Sequence, residues 1–166
     1  DVGAGDFVGS AAFHNVSIEG LLEIQNTTPD GGLAELEISG GLQGNGRIRV
    51  AGSGTLISKG VQMWDGPTIE LAGDAATTAE LVLLPELPGE PIELTLAPGT
   101  IIEGGNAIVR SDYGVLRNSG HIRTNGTGTE LEIGVTTLEN HGWLEATAGT
   151  LTISSNTLLH AGNIHA

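Results

Sequence analysis

A short phrase returns along the second half of this chain. It reads Asn118-Ser119-Gly120-His121-Ile122-Arg123, then Asn140-His141-Gly142-Trp143-Leu144-Glu145, then His160-Ala161-Gly162-Asn163-Ile164-His165. Each copy has a polar residue, a spacer, a glycine, a spacer and a branched aliphatic. The glycines stand 22 and then 20 residues apart, and a looser copy, Asn45-Gly46-Arg47-Ile48-Arg49-Val50, lies upstream. Turn-plus-strand units returning at this period predict a solenoid, in which stacked coils bury together what no single coil buries alone.

The segments between the glycines alternate with a period of two. Ala34-Glu35-Leu36-Glu37-Ile38, Thr68-Ile69-Glu70-Leu71, Ile92-Glu93-Leu94-Thr95-Leu96, Glu130-Leu131-Glu132-Ile133 and Thr150-Leu151-Thr152-Ile153 each offer one aliphatic face and one polar face. That is the pattern of short, half-buried strands. Only residues 75–84 carry any helical suggestion, and Thr and Val content with Pro85 and Pro88 directly after favours a strand at 80–84. The predicted coils run over residues 13–25, 33–50, 55–71 and 81–96, a short and less regular 100–109, then 115–133, 135–153 and 157–166. Seven to eight coils at the strand spacing make a rod of about 35 Å. Leu131 and Leu151, and Ile133 and Ile153, lie 20 residues apart and are expected to stack like on like. Stacked Asn118 and Asn140 are expected to hydrogen-bond along the rod. The glycines would supply positive φ or close backbone passage at the corners.

Composition agrees with a narrow aliphatic core. Of 166 residues 27 are glycine, without the three-residue period of collagen, and aromatic residues are few. The formal charge of −14, from 20 acidic and 6 basic residues, argues against nucleic acid and against an anionic membrane surface as partners. No apolar run approaches the roughly 20 residues of a spanning helix. There is no cysteine, so disulfides and thiolate chemistry are excluded. The chain opens at Asp1 without methionine and reads as a mature or excised piece, which permits secretion.

Asn118-Ser119-Gly120-His121-Ile122, Asn140-His141-Gly142-Trp143-Leu144 and Leu131-Glu132-Ile133, with the glycine-threonine-leucine strands Gly128-Thr129-Glu130-Leu131 and Gly149-Thr150-Leu151, resemble the repeats of right-handed parallel β-helices in secreted bacterial surface proteins. The resemblance is to adhesins of the filamentous-haemagglutinin type. It covers residues 115–166 and, loosely, 33–71; residues 75–110 depart from it. It implies an extracellular or cell-surface location and a role in adhesion or display, and carries over no functional residue. The expected fold is therefore a single all-β domain over residues 1–166, a right-handed parallel β-helix. Residues 1–12 would cap its front, with Phe7 over the first coil, and a proline-rich loop is inserted at 85–91. The other architecture such strands allow is a β-sandwich of the glycan-binding kind, with antiparallel hairpins at Gly126 and Gly134. A stack left open at Ile164 is expected to take further copies or a flanking domain.

β-Helices also carry enzymes acting on polysaccharides. The residues here that would serve a lyase or hydrolase are Asp65, Glu70, Asp74, Glu103, Arg110 and Asp112. No tight acid pair and no acid beside a histidine stands out among them, so no catalytic residue is assigned. His14, His121, His141, His160 and His165 lack metal-ligand spacing, although His121 and His141, 20 apart, would occupy related corners. No metal site is assigned. Calcium would be called for only if Glu35/Glu37 and Glu130/Glu132 met other acids on adjacent coils. Alternation puts Trp143 outside, either free to stack on a sugar or fill a partner's pocket, or packed under Tyr113 or the proline-rich loop. Trp143 and the loop's Glu86 and Glu90 are the predicted docking residues, for a glycan or a cell-surface protein. Lys59 reads as an ordinary surface lysine. Asn15, Asn26 and Asn125 open glycosylation triplets.

Overall fold

The computed structural model describes residues 5–7, 9–25, 34–124 and 126–166, with side chains from residue 9 onward. Twenty short strands follow one another, with no helix among the described residues. The first coil holds β1 (Gly5–Phe7) and β2 (Ser10–Ser17) and the second β3 (Leu21–Gln25) and β4 (Glu35–Gln43). The third is β5 (Arg47–Ala51), β6 (Thr55–Lys59) and β7 (Val61–Asp65), and the fourth β8 (Thr68–Ala72), β9 (Ala79–Leu84) and β10 (Glu93–Leu96). Then come β11 (Ile101–Gly105), β12 (Ala107–Arg110) and β13 (Val115–Asn118), and β14 (His121–Thr124), β15 (Glu130–Gly134) and β16 (Thr137–Asn140). The seventh coil is β17 (Trp143–Ala146), β18 (Thr150–Ile153) and β19 (Thr157–His160), and β20 (Asn163–His165) opens an eighth.

Every strand pair is parallel, and each strand pairs with its counterpart one coil away. The result is a parallel β-solenoid of about seven turns with three sides. The first side stacks β1, β3, β5, β8, β11, β14, β17 and β20. The second runs from the front of β2 and β4 through β6, β9, β12 and β15 to β18. The third runs from the back of β2 and β4 through β7, β10, β13 and β16 to β19. β2 and β4 turn the corner between these last two sides without breaking, β2 at a bulge by Asn15 (φ 53°) and β4 at Gly40 and Gly41 (φ 74° and 123°). The glycan-binding sandwich is thereby ruled out as the architecture. β14 and β15 flank Gly126 but lie on different sides and pair with other coils, not with each other.

The expected pairings are present. Ile122 stands opposite Leu144, which stands opposite Ile164; Leu131 meets Leu151 and Ile133 meets Ile153. The coil frame differs from the expected one. Residues 100–109 are not a short irregular coil but the first two strands of the fifth; counted from the first-side strands, the expected 13–25, 33–50, 55–71 and 81–96 start one side late and 115–133, 135–153 and 157–166 one side early. Residues 5–7 and 10–12 are strand residues of the first coil, paired to the second, rather than a layer laid over its end. The Phe7 side chain, together with Asp1, Asn26 and Asn125, lies outside the described residues.

The recurring glycines owe their place to lack of room. A Cβ on Gly120, Gly142 or Gly162 would sit 2.2, 2.1 or 2.2 Å from the carbonyl oxygen of Thr100, Gly120 or Gly142 on the preceding coil. None has positive φ. That same contact lets the backbone carbonyl of each corner accept the amide hydrogen that opens the next coil: Trp143 donates to Gly120 at 2.9 Å, and Asn163 to Gly142 at 2.8 Å.

The core is a set of inward columns. Leu22, Ile48, Ile69, Ile102, Ile122 and Leu144 stack on the first side, all buried. Leu36, Leu56, Leu81, Val109 and Ile133 stack on the second. On the third, the column Leu42, Trp64, Leu96 changes character at Asn118 and Asn140 and ends at His160. Trp64 is fully buried, and its indole N–H donates to Gln62 Oε1 at 3.2 Å. Gln62 in turn donates to the carbonyls of Ile38 and Lys59 at 2.6 and 2.8 Å. Asn118 donates to Asn140 Oδ1 at 2.7 Å, and Asn140 lies 3.0 Å from His160 Nδ1.

Candidate functional surfaces

Two outward columns on the first side carry three of the six basic residues and four carboxylates. One holds Glu23, Arg49, Glu70, Glu103, Arg123, Glu145 and His165 in register. Arg49 bridges Glu23 at 2.8 Å and Glu70 at 3.2 Å; Arg47, from the neighbouring column, bridges Glu70 at 2.6 Å and Glu103 at 3.3 Å. Arg123 closes on Glu103 Oε2 through two nitrogens, at 2.5 and 2.9 Å. Glu70 and Glu103 are thus neighbouring acids held by three guanidinium groups, and the Glu103 side chain is only 5% exposed. Elsewhere Lys59 meets Glu37, Arg110 meets Glu80, and Arg117 lies between Glu93 and Glu139. All six basic side chains of the chain are therefore engaged with carboxylates, nearly always on an adjacent coil.

The residues proposed for polysaccharide chemistry are distributed over the rod. Glu70 and Glu103 adjoin on the first side. Arg110 is on the second, Asp112 at the next corner, and Asp65 at the end of β7 on the third. Asp74 sits at the corner after β8, where its Oδ1 accepts from the Ala76 amide at 2.7 Å. That backbone hydrogen bond, seconded by the Thr77 hydroxyl, holds the Asp74 carboxyl below the ordinary aspartate range.

Beside Asp74 is a groove of about 530 Å³. It arises because the fifth coil turns from first to second side in the single residue Asn106 (φ 51°), while its neighbours use longer corners. Asp74, Glu80, Glu130 and Glu132 line it. Each is engaged within the protein: Glu80 with Arg110, Glu130 with the Thr152 hydroxyl, Glu132 with the Ser154 hydroxyl at 2.6 Å. Glu35 pairs with Thr55 and Glu130 with Thr150, so the acid-on-acid stacking that would call for calcium does not occur at these positions. Among the described residues no group of three or more metal-ligating side chains is assembled.

The histidines do not stack on one another as expected. His121 registers with Trp143, because this coil step is 22 residues rather than 20, and His160 registers with Asn140. His121 Nε2 lies 2.8 Å from Glu145 Oε2, and His165 Nδ1 3.7 Å from Glu145 Oε1. His14 bonds Ser39 at 3.0 Å, and Asn15 is exposed at its corner.

Trp143 stands on the first side with 49% of its surface exposed, the His121 ring 6.2 Å away and tilted by 48°. It is not covered by the proline-rich loop or Tyr113, which belong to the corner between the second and third sides. That loop is held by a turn at Leu87-Pro88-Gly89-Glu90, with Gly89 at φ 88° and the Glu90 amide donating to the Leu87 carbonyl at 3.1 Å. Glu90 Oε2 also accepts from the Leu87 amide at 3.2 Å, and Glu86 packs beside Gly60. Trp143 and the Glu86/Glu90 pair therefore lie on different parts of the rod and make no single docking surface. At the C-terminal end the inward columns are open, with Leu158 43% and Ile164 55% exposed.

No family model matches this chain, and no match was found among curated proteins or solved structures.

Proposed function

We propose that this chain is a structural or adhesive β-solenoid module, displayed outside the cell or at its surface, which acts by presenting a rigid face rather than by turnover. The finer resemblance to filamentous-haemagglutinin-type adhesins belongs to this proposal. The observation that carries it is the engagement of the charged groups. All six basic side chains are bound to carboxylates, and the acids around the groove beside Asp74 are each hydrogen-bonded or ion-paired within the protein. A glycosidase needs one carboxyl free to give a proton and another free to attack or to activate water. Glu70 and Glu103, the neighbouring acids, are held by Arg47, Arg49 and Arg123.

In this reading the open columns at Leu158 and Ile164 take a further coil, from another copy or a flanking domain, and Trp143 faces the partner. The loop bearing Glu86 and Glu90 offers a separate acidic rim to a basic or cation-bridged partner. The test is a screen for reducing ends and unsaturated products on neutral and acidic polysaccharides. The expected result is no turnover. Turnover that disappears in Glu103→Gln or Asp74→Asn would replace this reading with an enzymatic one.

A further inference from the structure

The geometry points to a carbohydrate-binding platform on the first side of the rod, centred on Trp143 and selective for neutral glycans. This rests on the adhesive reading above and names its ligand class. Three parallel strands set six outward side chains in a grid: His121, Trp143 and Asn163 in one row, Arg123, Glu145 and His165 in the next. Trp143 is half exposed, and His121 meets it at a tilt rather than face to face. The Asn163 side-chain amide has no partner among the described residues. Glu145 accepts from His121 and keeps lone pairs for a further donor.

A pyranose ring suits this arrangement. Its flat face of C–H groups packs on the electron-rich indole face, and its hydroxyls, each donor and acceptor, find an amide and a carboxylate at the edge. A protein partner suits it poorly. At about 4.8 Å between strands and about 7 Å between outward positions on a strand, the grid covers on the order of 100 Å², against roughly 800 Å² per partner in a stable protein interface. The other exposed large apolar side chains of this side, Leu21 and Ile164, lie elsewhere along the rod or in the inward column.

Charge selects the neutral class. The chain carries a net −14, and Glu103 and Glu145 lie at the platform. Arg123, the guanidinium beside them, is already paired with Glu103 through Nε and Nη2, which offsets its charge toward a uronate. An acidic polysaccharide would meet repulsion without a compensating cation.

The test is a titration of tryptophan fluorescence with cellohexaose, xylohexaose, mannohexaose and chitohexaose, with hexagalacturonate as the acidic counterpart. At least one neutral hexasaccharide is expected to change the emission saturably and hexagalacturonate to leave it unchanged. Trp143→Ala, which removes the reporting indole, is followed by isothermal titration calorimetry and is expected to abolish binding, while the emission of buried Trp64 reports an intact fold. Asn163→Ala, which keeps both tryptophans, is expected to weaken binding several-fold, up to about ten-fold, as loss of one hydrogen bond does. No response to any neutral hexasaccharide up to roughly 10 mM, binding that survives in Trp143→Ala, or preference for hexagalacturonate would overturn the platform. Absence of both binding and turnover defeats the platform alone, whereas binding accompanied by turnover defeats the non-catalytic reading alone.

Discussion

Gly142 and Gly128 separate two reasons for a glycine. A methyl group on Gly142 would stand 2.1 Å from the Gly120 carbonyl oxygen, a backbone atom that cannot move without the coil. Gly128 has φ +72° and open space around it. Gly142→Ala is therefore expected to cost about 3 kcal/mol or more and Gly128→Ala about 1 kcal/mol, read by urea denaturation. The returning phrase was legible in the sequence; which of the two reasons applied was not, because it depends on the coil beneath. Trp64 shows the converse. In Val61-Gln62-Met63-Trp64-Asp65 apolar residues fall on both parities, and alternation alone does not say which face is buried. The structure buries Gln62 and Trp64 and exposes Val61 and Met63. The choice rests on volume and on the indole's hydrogen bond to Gln62, a residue whose side chain no apolar pattern would place inside.

Among the strands, sequence alternation identified those with clean polar and aliphatic faces, including β15 and β18, and their like-on-like stacking. It did not identify the ion pairs, since Glu103 and its two guanidinium partners come from three coils 20 and more residues apart. Glu103→Gln is expected to lower stability by about 1–2 kcal/mol, because a nearly buried carboxylate serves two arginines whose own exposure screens the effect. Glu80→Gln, which removes one exposed pair with Arg110, is expected to cost no more than about 1 kcal/mol. Thermal unfolding of the two variants at low and high salt separates them. The asparagine column behaves as a unit. Removing its middle rung by Asn140→Ala takes away the acceptor of Asn118 and the donor to His160, for an expected loss of about 2–3 kcal/mol in the same denaturation experiment. The histidine expectation applied a step of 20 where the glycine phrase itself steps by 22: His121 follows Gly120 whereas His141 precedes Gly142, so the two fall on different positions of the phrase.

For the molecule as a whole, stability in a stack is shared between neighbours. The inward residues of β18 to β20 are partly or largely exposed, whereas those of β14 and β15 are buried on both flanks. Amides of β18 to β20 are therefore expected to exchange with deuterium faster than those of β11 to β15, with protection falling toward the C-terminal end. Equal protection throughout would mean the coils do not open from that end. The central claim, that the chain is one stack of parallel coils in the stated register, is tested most directly by paired cysteines in a chain that has none of its own. Thr137 and Thr157 stand opposite each other on adjacent coils of the third side. Thr137→Cys with Thr157→Cys, at about one strand spacing, should oxidise to an intramolecular disulfide. Val115→Cys with Thr157→Cys, two coils apart, should remain reduced. A Thr137/Thr157 pair that stays reduced under oxidant in the folded protein, or a Val115/Thr157 pair that closes in its place, would contradict the stack.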